Sequence, residues 1–167
     1  MRKKGLPAIL AMVFLLLHTF PLAGDELDQT ALRGLKGVSV LVEGMNPQPE
    51  RLGPTKAQIQ TDVELRLRKA GVRVLTKKEW GETPGMPWLY VNVNILFLQK
   101  IPLVVYHISV VLNETVTLAR GFEPVGSIWG AGFTGAVGMS NIGAIRKDVG
   151  DQVDKFINDY LAANPKK

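Results

Sequence analysis

The 167-residue chain has no cysteine. That excludes a disulfide, a thiolate nucleophile and an acylated cysteine carrying a lipid anchor. Histidine is almost as scarce, with two in the chain: His18, in an apolar amino-terminal segment, and His107. With so few soft ligands a zinc site would need mostly carboxylates, and no cluster of them supports one. No metal or cofactor is expected. A long apolar run is missing too. The most apolar stretch, residues 6–17, spans a dozen residues, against the roughly 20 that a helix needs to cross a bilayer.

What is present at the amino terminus has the order of a secretory signal. Arg2, Lys3 and Lys4 precede the apolar stretch, and His18 to Gly24 form a less apolar end. Residues 1–24 are therefore expected to be a signal peptide cleaved after Gly24, with Leu22-Ala23-Gly24 before the cut. Residues 25–167 would form the working domain in the periplasm or outside the cell. Membrane attachment would follow only if the signal stayed uncleaved. The signal holds three of the 20 basic residues and none of the 15 acidic ones, so the remainder carries 17 against 15, a net charge of +2. Nucleic-acid binding loses its compositional support. About 140 residues make one domain and can bury a core without covalent staples.

Periodicity gives the elements. Residues 25–36 read as a short helix or an ordered lead-in. Val38, Val40 and Val42 alternate with Ser39 and Leu41 as a first strand between Gly37 and Gly44. Three prolines make residues 45–54 a loop. Thr55 and Gln58 have capping-box spacing, and Ile59, Val63, Leu67 and Ala70 form an apolar stripe turned away from Lys56, Gln60, Glu64 and Arg68. Gly71 ends that helix. A short strand at 72–75, a loop at 77–87 and two long strands at 88–98 and 104–118 follow, the last two as an antiparallel hairpin. A further strand is expected at 127–133. The closing helix carries Ile142, Ile145, Val149, Val153, Phe156 and Tyr160 on one face and stops at Asn164-Pro165. Gly150 in its interior costs about 1 kcal/mol relative to alanine, which points to close packing or a bend. The expected fold class is α+β, a single mixed sheet of four to five strands with two long helices packed on one face.

Candidate chemistry is thin. Gly130-Ala131-Gly132-Phe133-Thr134-Gly135 spells a dinucleotide-binding pattern, yet no strand follows to complete the βαβ unit, so a glycine-rich strand or turn is the better reading. Extended through residue 138, the segment is a candidate for a mobile or partner-contacting loop. His107 lies on the strand face opposite Tyr106 and Ile108, with Ser109 two residues on. No nucleophile-elbow motif accompanies it. Asp148, Asp151, Asp154 and Asp159 recur along the last helix and read as a solvated face mixed with Arg146, Lys147 and Lys155. Asn113-Glu114-Thr115 is a glycosylation sequon by spelling only. The aromatics Trp80, Trp88, Tyr90, Trp129 and Phe133 are the candidate partner-binding set. The polar side of the second hairpin strand suggests an open sheet edge able to receive another strand.

In element order the chain resembles the periplasmic α/β domain shared by curli-secretion lipoproteins, the amino-terminal domain of the Tol-system propeller protein, and lipoprotein activators of penicillin-binding proteins. The resemblance rests on Val38-Ser39-Val40-Leu41-Val42, on Leu67-Arg68-Lys69-Ala70-Gly71-Val72-Arg73-Val74-Leu75, on the paired strands and on the closing helix. It covers most of the chain past the signal and includes no catalytic motif. The lipoprotein members have an acylated cysteine that is missing here, so no lipid tether is implied. The tail Asp154-Lys155-Phe156-Ile157-Asn158-Asp159-Tyr160-Leu161 is similar to tails of exported bacterial proteins without assigned function. The expectation is a non-catalytic envelope protein that binds another protein or itself through a sheet edge. The competing expectation is a small-ligand binding or hydrolytic protein with a pocket near His107 and residues 130–138.

Overall fold

The computed structural model describes residues 29–43, 53–98 and 100–165. The expected signal and most of the proline-rich loop lie outside these residues. The elements are β1 (Ser39–Val42), α1 (Lys56–Lys69), α2 (Lys77–Glu82), β2 (Trp88–Phe97), β3 (Leu103–Thr115), β4 (Val125–Gly138), a 3₁₀ turn (Met139–Asn141) and α3 (Ala144–Ala163). The strands form one mixed sheet in the order β1-β2-β3-β4, parallel between β1 and β2 and antiparallel elsewhere. The fold is α+β, with α1 and α3 laid on one face.

Helices α1 and α2 begin where the sequence offers caps, whereas α3 starts at Gly143 without a side-chain cap. The Thr55 hydroxyl accepts from Gln58 N at 3.2 Å and Gln58 Oε1 accepts from Thr55 N at 2.9 Å, so each side chain satisfies an amide at the start of α1. Gly71, at φ 84°, turns the chain away at its end. Ile59, Val63 and Leu67 of α1 and Ile145, Val149, Val153 and Phe156 of α3 are buried. They meet Leu89, Val91 and Val93 of β2 and Val104, Ile108, Val110 and Leu112 of β3 in one core. Full burial of such a side chain contributes roughly 1.5–3 kcal/mol. Asn164 ties the end of α3 to the lead-in: its Oδ1 accepts from Gly34 N and its Nδ2 donates to Leu32 O, both at 2.8 Å.

Four expectations need correction. The strand expected at 72–75 is reduced to a single parallel bridge, Val38 to Val74. The loop expected at 77–87 contains α2, started by a capping box between Thr76 and Glu79. β3 ends at Thr115, short of Leu118. The glycine-rich segment is no loop: β4 runs through to Gly138, paired with β3 along its length except for an irregularity at Leu112 and Asn113. Glycine there serves close approach, since a Cβ on Gly132 would lie 2.5 Å from Ile108 O.

Candidate functional site

The two margins of the sheet differ. On the outer side of β1, the Val74 bridge takes one end, and the Gln60 side chain from α1 takes the other. Gln60 Oε1 accepts from Val42 N at 3.3 Å and Nε2 donates to Val40 O at 3.2 Å. A side-chain amide thereby replaces the backbone amide of a neighbouring strand. That edge is closed. The opposite margin is β4, and among the described residues no strand flanks its outer side. β4 is 14 residues long, and residues 124–145 contain no charged side chain. Natural edge strands usually carry lysine, proline or another obstacle to pairing. β3, whose polar side suggested the open edge, lies inside the sheet between β2 and β4, so the expected edge moves one strand outward.

Beside the outer edge lies a cavity of about 520 Å³ lined by Gln29, Trp129, Gly130, Ala131, Gly132, Lys155, Asn158 and Asp159. Four consecutive β4 residues, Trp129 to Gly132, alternate between the two faces and share this lining, which places the cavity along the strand's edge with α3 above it. Asp159 accepts from Trp129 Nε1 at 2.9 Å and from Gln29 Nε2 at 3.2 Å. Lys155 Nζ donates to Gln152 Oε1 at 3.1 Å. The arrangement is a strand and a helix flanking a groove, the geometry in which extended segments add to a sheet.

The predicted aromatics do not form one surface. Trp129 is buried, 5.2 Å ring to ring from Phe156, and Phe133 is half-buried against Tyr106 at 5.8 Å, both on the helix-covered side. Tyr90 lies on the uncovered face and donates to Glu43, which raises the phenol above its ordinary range, with burial adding to the effect. Trp80 and Trp88 do come together, edge to face at 6.4 Å. With Leu41, Met86 and Val125 they line an apolar groove of about 470 Å³ on the uncovered face. Its wall includes Met86 at φ 45°, a conformation uncommon for a side-chain-bearing residue. Trp80 Nε1 holds Met86 O at 2.6 Å.

His107 is exposed, with Nδ1 3.0 Å from Thr134 Oγ1, and lines neither cavity. Gly130 to Gly135 are extended strand, without the turn into a helix that a pyrophosphate would need. The carboxylates of α3 are less solvated than their spacing suggests. Asp148 accepts from Tyr106, whose phenol burial and this contact push up to about 12. Asp154 bridges to Arg66 of α1 at 2.6 Å, and Asp151 pairs with Lys147 at 2.6 Å. Arg146 of α3 binds Asp62 of α1 through two nitrogens, holding that carboxyl below its usual range. Among the described residues, no three His, Asp or Glu cluster as metal ligands would.

Three participants escaped sequence reasoning. Gln60 reads as solvent-facing, Lys155 as one charge in a mixed face, and Met86 as part of a loop. Only the Thr76-to-Glu79 spacing, a second capping box, could have disclosed α2 and so placed Trp80 and Met86. No protein-family model matches the chain, and no curated protein matches it in sequence.

Proposed function

We propose that the chain is a non-catalytic exported envelope protein that binds another protein chain by strand addition at β4. The observation that supports this reading is the asymmetry of the sheet: β1 is closed by Gln60 and Val74, while β4 offers 14 residues of uncharged edge beside a groove. Backbone hydrogen bonds would supply affinity, and the groove under α3 would select side chains of the incoming strand. The test is capture of envelope proteins on the tagged full chain and on its Gly130→Lys variant. A Cβ at Gly130 meets only Val111 Cγ2, at 3.9 Å, so that variant should keep the fold. Equal capture by both proteins counts against the reading. Trp129→Ala would be the wrong probe, because Trp129 sits in the core.

The Trp80 and Trp88 groove supports a second reading, binding of a small apolar ligand there. A thermal-shift screen of apolar ligands against the full chain and Trp88→Ala tests it, since a ligand bound only by the native state raises Tm.

A further inference from the structure

Resting on the strand-addition reading, we infer that the occupant of the β4 edge is a second copy of this chain, paired antiparallel about a two-fold axis at Ala131. Symmetry, charge and helix spacing converge on it. β4 spans Val125–Gly138, so pairing Ala131 with its own mate aligns Val125 with Val137 and leaves only Gly138 unmatched. The pairing is isologous and closes. It makes one eight-stranded sheet, and the paired strands meet along roughly 40 Å of edge.

The axis runs through the stretch of β4 that lines the 520 Å³ cavity, since Trp129, Gly130, Ala131 and Gly132 are the strand residues there. α3 packs over β3 and β4. At a strand spacing of about 4.8 Å, a helix above the midline of those two strands lies about one spacing from the axis. The two symmetry-related helices then run antiparallel, about 10 Å apart, the distance at which helices pack. Each copy's helix fills the groove of the other.

Charge fits the same operation. Lys155, Asn158 and Asp159 are the α3 residues lining the cavity. In an antiparallel helix pair crossing near residue 157, Lys155 of one copy faces Asp159 of the other, twice over by symmetry. Lys155 is bonded to Gln152 and to no carboxylate among the described residues. Asp159 already accepts one bond on each oxygen, from Trp129 and from Gln29, and each oxygen keeps a lone pair for the partner copy's Lys155. Nothing along β4 itself repels, because the strand carries no charge.

The experiment is sedimentation equilibrium of the full chain, expressed with its own amino terminus and purified from the envelope, together with hydrogen exchange resolved along the sequence. A dimer is expected, with protection of the outward-facing β4 amides, those not bonded to β3. Gly130→Lys sets two ammonium groups on diagonal positions about 7 Å apart across the axis and should weaken the dimer about tenfold or more. Lys155→Glu, which turns the attraction to Asp159 into repulsion, should weaken it about tenfold, with circular dichroism unchanged in both variants. A chain that stays monomeric while capturing another protein through β4 overturns the second-copy inference and leaves strand addition standing. A dimer indifferent to both substitutions, with the outward-facing β4 amides exchanging freely, overturns the second-copy inference, whereas equal capture by the parent and Gly130→Lys overturns strand addition.

Discussion

Glycine is the residue whose meaning depends most on its surroundings here. Gly132 and Gly150 are both crowded, but by different things. A Cβ on Gly132 would meet the backbone oxygen of Ile108 at 2.5 Å, whereas one on Gly150 would meet the end of the Arg66 side chain at 2.4 Å. Backbone in a sheet cannot give way, and a guanidinium can. Gly132→Ala is expected to destabilise by about 2–3 kcal/mol, the cost of overpacking. In Gly150→Ala, a helix-propensity gain of about 1 kcal/mol offsets displacement of the exposed Arg66–Asp154 pair, itself worth about 0–1 kcal/mol. Urea denaturation should find it within about 0.5 kcal/mol of the parent. Asp62 offers a test of sign. Its bonds to Arg146 hold its folded-state pKa below the ordinary value, against the opposing effect of burial. The contribution is thus complete above about pH 4 and is lost as pH falls through the depressed value. Because the pair is partly solvated, acidification from about pH 5 to about pH 2 should cost the parent only about 0.5 kcal/mol more than it costs Asp62→Asn.

Among the elements, the short strand β1 shows how an edge is shut without a neighbour. Gln60 satisfies Val42 N–H and Val40 C=O at once. Gln60→Leu would keep the bulk and leave both groups unpaired, at an expected cost of about 2 kcal/mol in urea denaturation. It would also create a second open edge, visible as increased light scattering on concentration. This element marks the limit of sequence legibility. The helices could be read because Ile59, Val63 and Leu67 repeat at helical spacing and Thr55 and Gln58 form a cap, all local facts. Gln60 belongs to the polar side of the same helix, and only the tertiary approach of α1 to β1 gives it a strand's task. β4 was legible around Ile128 and Trp129. Beyond them alanine and glycine mute the alternation, even though Phe133 and Val137 keep to the covered side. Trp129 and Phe133 read as binding residues because an aromatic in sequence does not declare which face of its strand is covered.

At the scale of the whole molecule, the placement of charge separates two faces. The helix layer is laced with ion pairs between α1 and α3, at Arg66 with Asp154 and Arg146 with Asp62. Among the described residues the β4 margin has none of these. A protein whose native state is a dimer through that margin couples folding to association, so its stability depends on concentration where a monomer's does not. Each tenfold rise in protein adds about 0.7 kcal/mol per subunit, from RT ln 10 shared between two chains. For a domain of this size that corresponds to an increase in Tm of about 1–3 °C. Scanning calorimetry of the full chain over a hundredfold concentration range should therefore show a rise of about 2–6 °C in total. Gly130→Lys should match the parent at the dilute end, because its fold is unstrained there, and should show a flatter rise toward the concentrated end. A flat parent curve that stays superimposable on the variant's would mean that the uncharged edge is tolerated in a monomer. The groove beneath α3 would then have to be explained by a different chain.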